Sequence, residues 1–210
     1  TGNLQYYKEE VLSAIEKLKG NLIIKYYPTR TASVNTITAH LQQCELQRIK
    51  PDLVIVDYAD IMKSTQQFTE KRHQIGHVYE ELRGLAGEFE IPIWTASQAN
   101  RSSLEEEVIG ADKVAEDYSK VMTADFVMSM SRKVEDKIAN TGRFHVIKNR
   151  FGPDGLTFPA NINTNTGNIQ IFESSSAGGK QAQGKMDNSQ EYYRKSLAQK
   201  KKDFDGEGFE

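Results

Sequence analysis

The run Leu53-Val54-Ile55-Val56 is apolar without alternation, and residues 91–96 and 125–130 give further strands of similar character. A strand with one wet face alternates apolar and polar side chains. One that does not alternate is covered on both faces, as in a parallel sheet between helices. The intervening segments carry helical spacing. Val34, Ile37, Leu41 and Cys44 recur every three or four residues behind Ser33, a suitable N-cap. Ile75, Val78, Leu82, Leu85 and Phe89 mark one face of a second helix. Residues 3–19 read as a further amphipathic helix, and Leu22-Ile23-Ile24 as a short buried strand. Trp94 is expected to be buried in its strand. The pattern predicts an α/β fold with a mainly parallel sheet flanked by helices.

The C-terminal side changes character. Residues 144–148, 156–160 and 169–172 are predicted strands joined by Gly152-Pro153-Asp154-Gly155 and Asn165-Thr166-Gly167, turns that favour antiparallel pairing. Residues 1–173 are expected to form the globular part. Residues 174–189, rich in Gly, Ser and Gln, predict a flexible linker. Residues 190–210 predict a tail with helical character from 190 to 202 and an acidic, phenylalanine-bearing tip from Asp203 onward.

A net charge of −2 over 210 residues shows no basic excess, so any nucleic-acid contact has to rest on local loops. The single cysteine, Cys44, excludes an intrachain disulfide and fits a reducing, intracellular setting. No apolar run approaches the roughly 20 residues needed to span a bilayer.

Three motifs carry chemistry. In Leu53-Val54-Ile55-Val56-Asp57-Tyr58 a carboxylate stands at the carboxyl end of a buried strand, where open α/β sheets bind ligands. It can hold Mg²⁺ on a nucleotide phosphate; the plain alternative is a strand-end cap. In Ile91-Pro92-Ile93-Trp94-Thr95-Ala96-Ser97-Gln98-Ala99-Asn100-Arg101 another strand delivers Gln98, whose amide can sense a terminal phosphate or a lytic water. Alone, it reads better as a loop residue without a role. In Val146-Ile147-Lys148-Asn149-Arg150-Phe151-Gly152-Pro153, side-chain alternation puts Lys148 and Arg150 on one face. Two cations there can reach a phosphate on a neighbouring subunit. They can also simply solvate a sheet edge. His73 and His77 stand four apart on a helix, but no third ligand stands out.

The order of these landmarks, with Ala124-Asp125 between the second and third, resembles that of the DnaB-family replicative helicases, from about Leu22 to Glu173. The stretches Tyr27-Pro28-Thr29, Ala32-Ser33-Val34-Asn35-Thr36 and Thr123-Ala124-Asp125-Phe126 look similar to the helicases of T-even-type bacteriophages. The resemblance implies a RecA-like P-loop NTPase core, incomplete at its N-terminal end, because no G-x-x-x-x-G-K-[ST] occurs in the 210 residues. It implies ATP with Mg²⁺ as cofactors, Asp57 as the metal-holding aspartate and Gln98 as the γ-phosphate sensor. Lys148 and Arg150 would act on the next subunit's nucleotide.

The implied partners are single-stranded DNA and five further copies in a hexameric ring. A primase, helicase loader or polymerase would bind through the C-terminal tail, no membrane is involved, and the setting is the cytoplasm of a bacterial host. The loops after Asp57 and after Gln98, up to about Tyr118, would face the channel. There the family often carries an arginine before a glutamate. This chain has Ala115-Glu116, so Lys113 and Arg101, beside Glu116, are the candidate DNA contacts. The alternatives are a RecA-like recombinase or other RecA-fold ATPase, and an inactive module that docks on a helicase ring.

Overall fold

The computed structural model describes residues 2–17, 19–100, 106–113, 118–173 and 177–206. Helices α1 (Gly2–Glu16) and α2 (Val34–Leu46) precede strand β1 (Val54–Val56). Helix α3 (Lys71–Phe89) leads to β2 (Ile93–Thr95), and α4 (Ser119–Thr123) leads to β3 (Phe126–Ser131). Helix α5 (Val134–Ala139) is followed by β4 (Thr141–Asn149), β5 (Thr157–Asn163), β6 (Asn168–Ile171) and α6 (Ala177–Gly206). Single 3-10 turns occur at Ala59–Ile61 and Ala111–Lys113.

β1 and β2 pair in parallel, with Val54 opposite Ile93, Ile55 opposite Trp94 and Val56 opposite Thr95. The crossover between them is α3, as parallel pairing requires. Val54, Val56 and Ile93 face a core built from Val34, Leu41, Ala59, Ile75, Val78, Tyr79, Leu82 and Leu85. The stripes of α2 and α3 thus bury one face of the pair. Cys44 is buried and unpaired.

Four expectations are corrected. Residues 22–24 are not a strand: Leu22 and Ile24 are exposed, and strand propensity without a hydrogen-bonded neighbour forms no ladder. Trp94 is 52% exposed, because it shares with Ile55 the sheet face opposite α2 and α3. Its ring lies 6.0 Å from that of Phe126 on β3. Among the described residues parallel pairing is confined to β1 and β2, whereas β3 joins the antiparallel sheet β3-β4-β5-β6. Finally, residues 177–189 lie within α6 instead of a flexible linker. Ala182 and Met186, four apart and therefore on one helix face, are fully buried. The helix packs on α5, β4 and β5, and that burial offsets the poor helix propensity of its glycines.

The antiparallel sheet is closely packed where β4 crosses α5. Arg143 donates to Asp136 at 2.8 Å, with the Asp136 side chain fully buried, and Arg132 donates to the Thr141 carbonyl at 2.9 Å. No helix among the described residues is long and apolar enough to cross a membrane.

Candidate nucleotide site

The parallel pairing of β1 and β2 delivers Asp57 and Gln98 to the same carboxyl edge. Thr95 fastens that edge: its hydroxyl donates to the Val56 carbonyl at 2.9 Å and accepts from the Ala59 amide at 2.9 Å. The Asp57 carboxylate is exposed and makes no hydrogen bond or ion pair among the described residues. Gln98 is exposed as well, and its amide nitrogen donates to the Tyr58 hydroxyl at 3.2 Å. The amide expected to sense a phosphate therefore touches the residue next to the expected metal-holding aspartate. An exposed, uncommitted carboxylate is a suitable oxygen donor for Mg²⁺.

Behind this edge lies a polar cluster. The buried Lys120 ammonium of α4 contacts Asp60 at 3.0 Å and Ser97 at 3.1 Å, and sits 5.5 Å from the centre of the Tyr79 ring. The Tyr79 hydroxyl donates to Asp60 at 2.8 Å, and Ser97 donates to the other Asp60 oxygen at 3.0 Å. Burial first, then the Asp60 carboxylate, pushes the Tyr79 phenol far above its ordinary pKa, so it stays a donor. Sequence reasoning singled out neither Asp60 nor Lys120. The one hint was a lysine within the short helical run Ser119-Lys120-Val121-Met122.

Lys148 and Arg150 converge on the far end of α4. The Lys148 ammonium donates to the carbonyls of Val121 at 2.9 Å and Met122 at 2.8 Å, capping the helix's negative end. Arg150 donates to Asp125 at 2.9 Å and to the Met122 carbonyl at 3.4 Å. Desolvation first, then the Arg150 charge, lowers the Lys148 pKa. Arg150, Arg83, Glu80, Gly84, Gly87, Met122 and Thr123 line an open surface cleft. No described hydrogen bond or ion pair joins Lys148 or Arg150 to Asp57 or Gln98.

Of the loop candidates, Arg101 and Glu116 lie outside the described residues. Lys113 is described, and its ammonium lies 3.4 Å from Glu106 and 3.8 Å from Asp112. The neighbouring loop is held on β3, where Ser129 donates to the Ile109 carbonyl at 2.7 Å and Ser131 to the Glu107 carbonyl at 2.6 Å. His77 packs against the Phe68 ring and lies 3.3 Å from Glu81, while His73 lies beside Glu70.

Residues 1–165 match the family described as the DnaB-like helicase C-terminal domain. The chain is 32% identical over 158 residues to the DnaB-like replicative helicase of Enterobacteria phage T4, covering 72% of this chain and 33% of that protein. It is 30% identical over 77 residues to the replicative DNA helicase DnaB of Helicobacter pylori, covering 37% of this chain and 16% of that protein. The chain thus spans about a third or less of the relatives it matches. Among solved structures, an ATPase domain aligns with a TM-score of 0.59 at 20% identity, over 68% of this chain and 52% of that one. A DnaB-like replicative helicase, solved in a study of its interactions with primase, aligns with a TM-score of 0.58 at 20% identity, over 68% of this chain and 36% of that one. The fold is accordingly that of a RecA-like ATPase domain, and the chain belongs to the DnaB-like helicase C-terminal domain family.

Proposed function

We propose that this chain is the larger part of the motor domain of a replicative DNA helicase. It would couple ATP hydrolysis to movement along single-stranded DNA within a homo-hexameric ring. The observation that carries this is the pairing of the exposed Asp57 carboxylate with the Gln98–Tyr58 hydrogen bond at one strand edge. Asp57 would hold Mg²⁺ on the nucleotide, and Gln98 would orient water or the terminal phosphate. ATP supplies the phosphoanhydride whose cleavage drives movement. These 210 residues contain no P-loop motif.

Lys148 and Arg150 contact α4 and Asp125 and make no described hydrogen bond to Asp57 or Gln98, and we assign them to a neighbouring subunit's nucleotide. Their charge would then stabilise the transition state across the subunit interface. Arg101, Lys113 and the loop carrying Glu116 are the proposed DNA-facing elements. Binding through phosphates would be insensitive to sequence and weakened by salt. Residues 1–173 would form the motor unit, with α6 docked on it. The tip from Asp203 onward would recruit a primase, loader or polymerase in a bacterial host's cytoplasm.

The test is fork unwinding and DNA-stimulated ATP hydrolysis by the assembled helicase, parent against Gln98→Ala. Loss of both activities supports the proposal. Strand exchange without unwinding would instead favour a recombinase.

A further inference from the structure

Three segments meet at the Lys120 ammonium, which is only 2% exposed. They are Asp60, three residues beyond Asp57; Ser97, the residue before Gln98; and the Tyr79 ring on α3. The two carbonyls that follow Lys120 in the chain, those of Val121 and Met122, receive the Lys148 ammonium. Met122 also receives Arg150. Helix α4 therefore has the sensor edge of the β1–β2 pair on one end and the cationic hairpin on the other. We propose that Lys120 is a positioning residue, pinning α4 between the Asp57/Gln98 edge and the Lys148/Arg150 hairpin, so that a change at one is mechanically felt at the other.

The physical case rests on stiffness. A charge this deeply buried is screened little, and its partners are fixed by directional hydrogen bonds instead of by packing alone. A shift of Ser97 as Gln98 engages a phosphate has to move Lys120 or break its contacts. Lys120 in turn carries, as its immediate chain neighbours, the carbonyls that hold Lys148. Tyr79 closes the cluster from the α3 side by donating its hydroxyl to Asp60 at 2.8 Å.

This inference rests on the roles proposed above for Gln98 and Arg150, so the experiment separates the two. Removing Lys120 alone would strand the Asp60 charge and could unfold the protein. The variant is therefore the double substitution Asp60→Asn with Lys120→Met, in the assembled helicase, beside Gln98→Ala and Arg150→Ala. The expected result is a parental melting temperature and KM for ATP, with kcat lowered about tenfold and the Hill coefficient for ATP reduced to about one. Parental kcat and cooperativity in the double variant, while Gln98→Ala and Arg150→Ala lose turnover, overturn the role of Lys120 and leave the nucleotide-site proposal standing. A fall in kcat matched by a fall in melting temperature shows a merely structural cluster and also overturns it. Parental turnover in Gln98→Ala and Arg150→Ala sinks both.

Discussion

Arg83 and Arg150 donate to the same oxygen of Asp125, each at 2.9 Å. Arg83 comes from α3 and Arg150 from just beyond β4, so one carboxylate joins the helix that backs the parallel pair to the hairpin that carries Lys148 and Arg150. Hydrogen bonding from Arg83 is the main reason that Asp125 titrates below the usual carboxylate range, aided by the charges of Arg83, Arg150 and Lys148 and opposed by partial burial.

A depressed folded-state pKa stabilises the protein above the unfolded value, and that contribution is lost as pH falls through the folded value. Because the Asp125 side chain is 41% exposed, the contribution is modest, below about 1 kcal/mol. Asp125→Asn should therefore melt slightly below the parent at neutral pH, with the gap closing as pH drops below about 4. A gap that stays constant from neutral pH down into that range would contradict the pairing.

Met186→Ala should destabilise the protein by about 2–5 kcal/mol, because it opens a cavity where α6 packs on α5, β4 and β5. Chemical denaturation measures this. An effect within about 0.5 kcal/mol, the usual range for surface substitutions, would mean that α6 does not pack there in solution.

Gly142→Ala should cost about 1–3 kcal/mol by overpacking. A Cβ at this position would stand 2.5 Å from Ile162 Cδ1, 2.9 Å from Arg132 Cγ and 3.1 Å from the Ser131 carbonyl oxygen. The last of these is backbone and cannot swing aside. Equal stability of parent and variant in denaturant titrations would show that the β3–β4–β5 junction is looser than this geometry.

The parts legible in the sequence are those governed by local period. Val34, Leu41 and Cys44 on α2, and Ile75, Val78, Leu82 and Leu85 on α3, repeat at helical spacing and are buried. The edge carrying Asp57 and Gln98 was legible because an apolar run that stops at a polar residue marks a strand's end. Trp94 was misjudged because hydrophobicity shows that a residue gains from burial, not whether an element covers its face. Residues 177–189 read as linker because their glycines and glutamines hide two anchors, Ala182 and Met186, whose worth depends on a distant surface. The role of Lys120 has a related origin: beyond its place in a short helical run, it depends on a partner, Asp60, that lies 60 residues away in sequence.

The most direct test of the central claim uses mixed rings. Asp57→Ala and Arg150→Ala subunits, each doped into rings with subunits whose phosphate-binding loop is disabled, report whose nucleotide each residue serves. An Asp57→Ala subunit should silence its own site. An Arg150→Ala subunit should leave its own site working and silence the adjacent one, so the two titrations diverge as the dose of mutant rises. Identical titrations, with Arg150→Ala failing at its own subunit's site, would contradict the assignment of the hairpin to the neighbouring nucleotide.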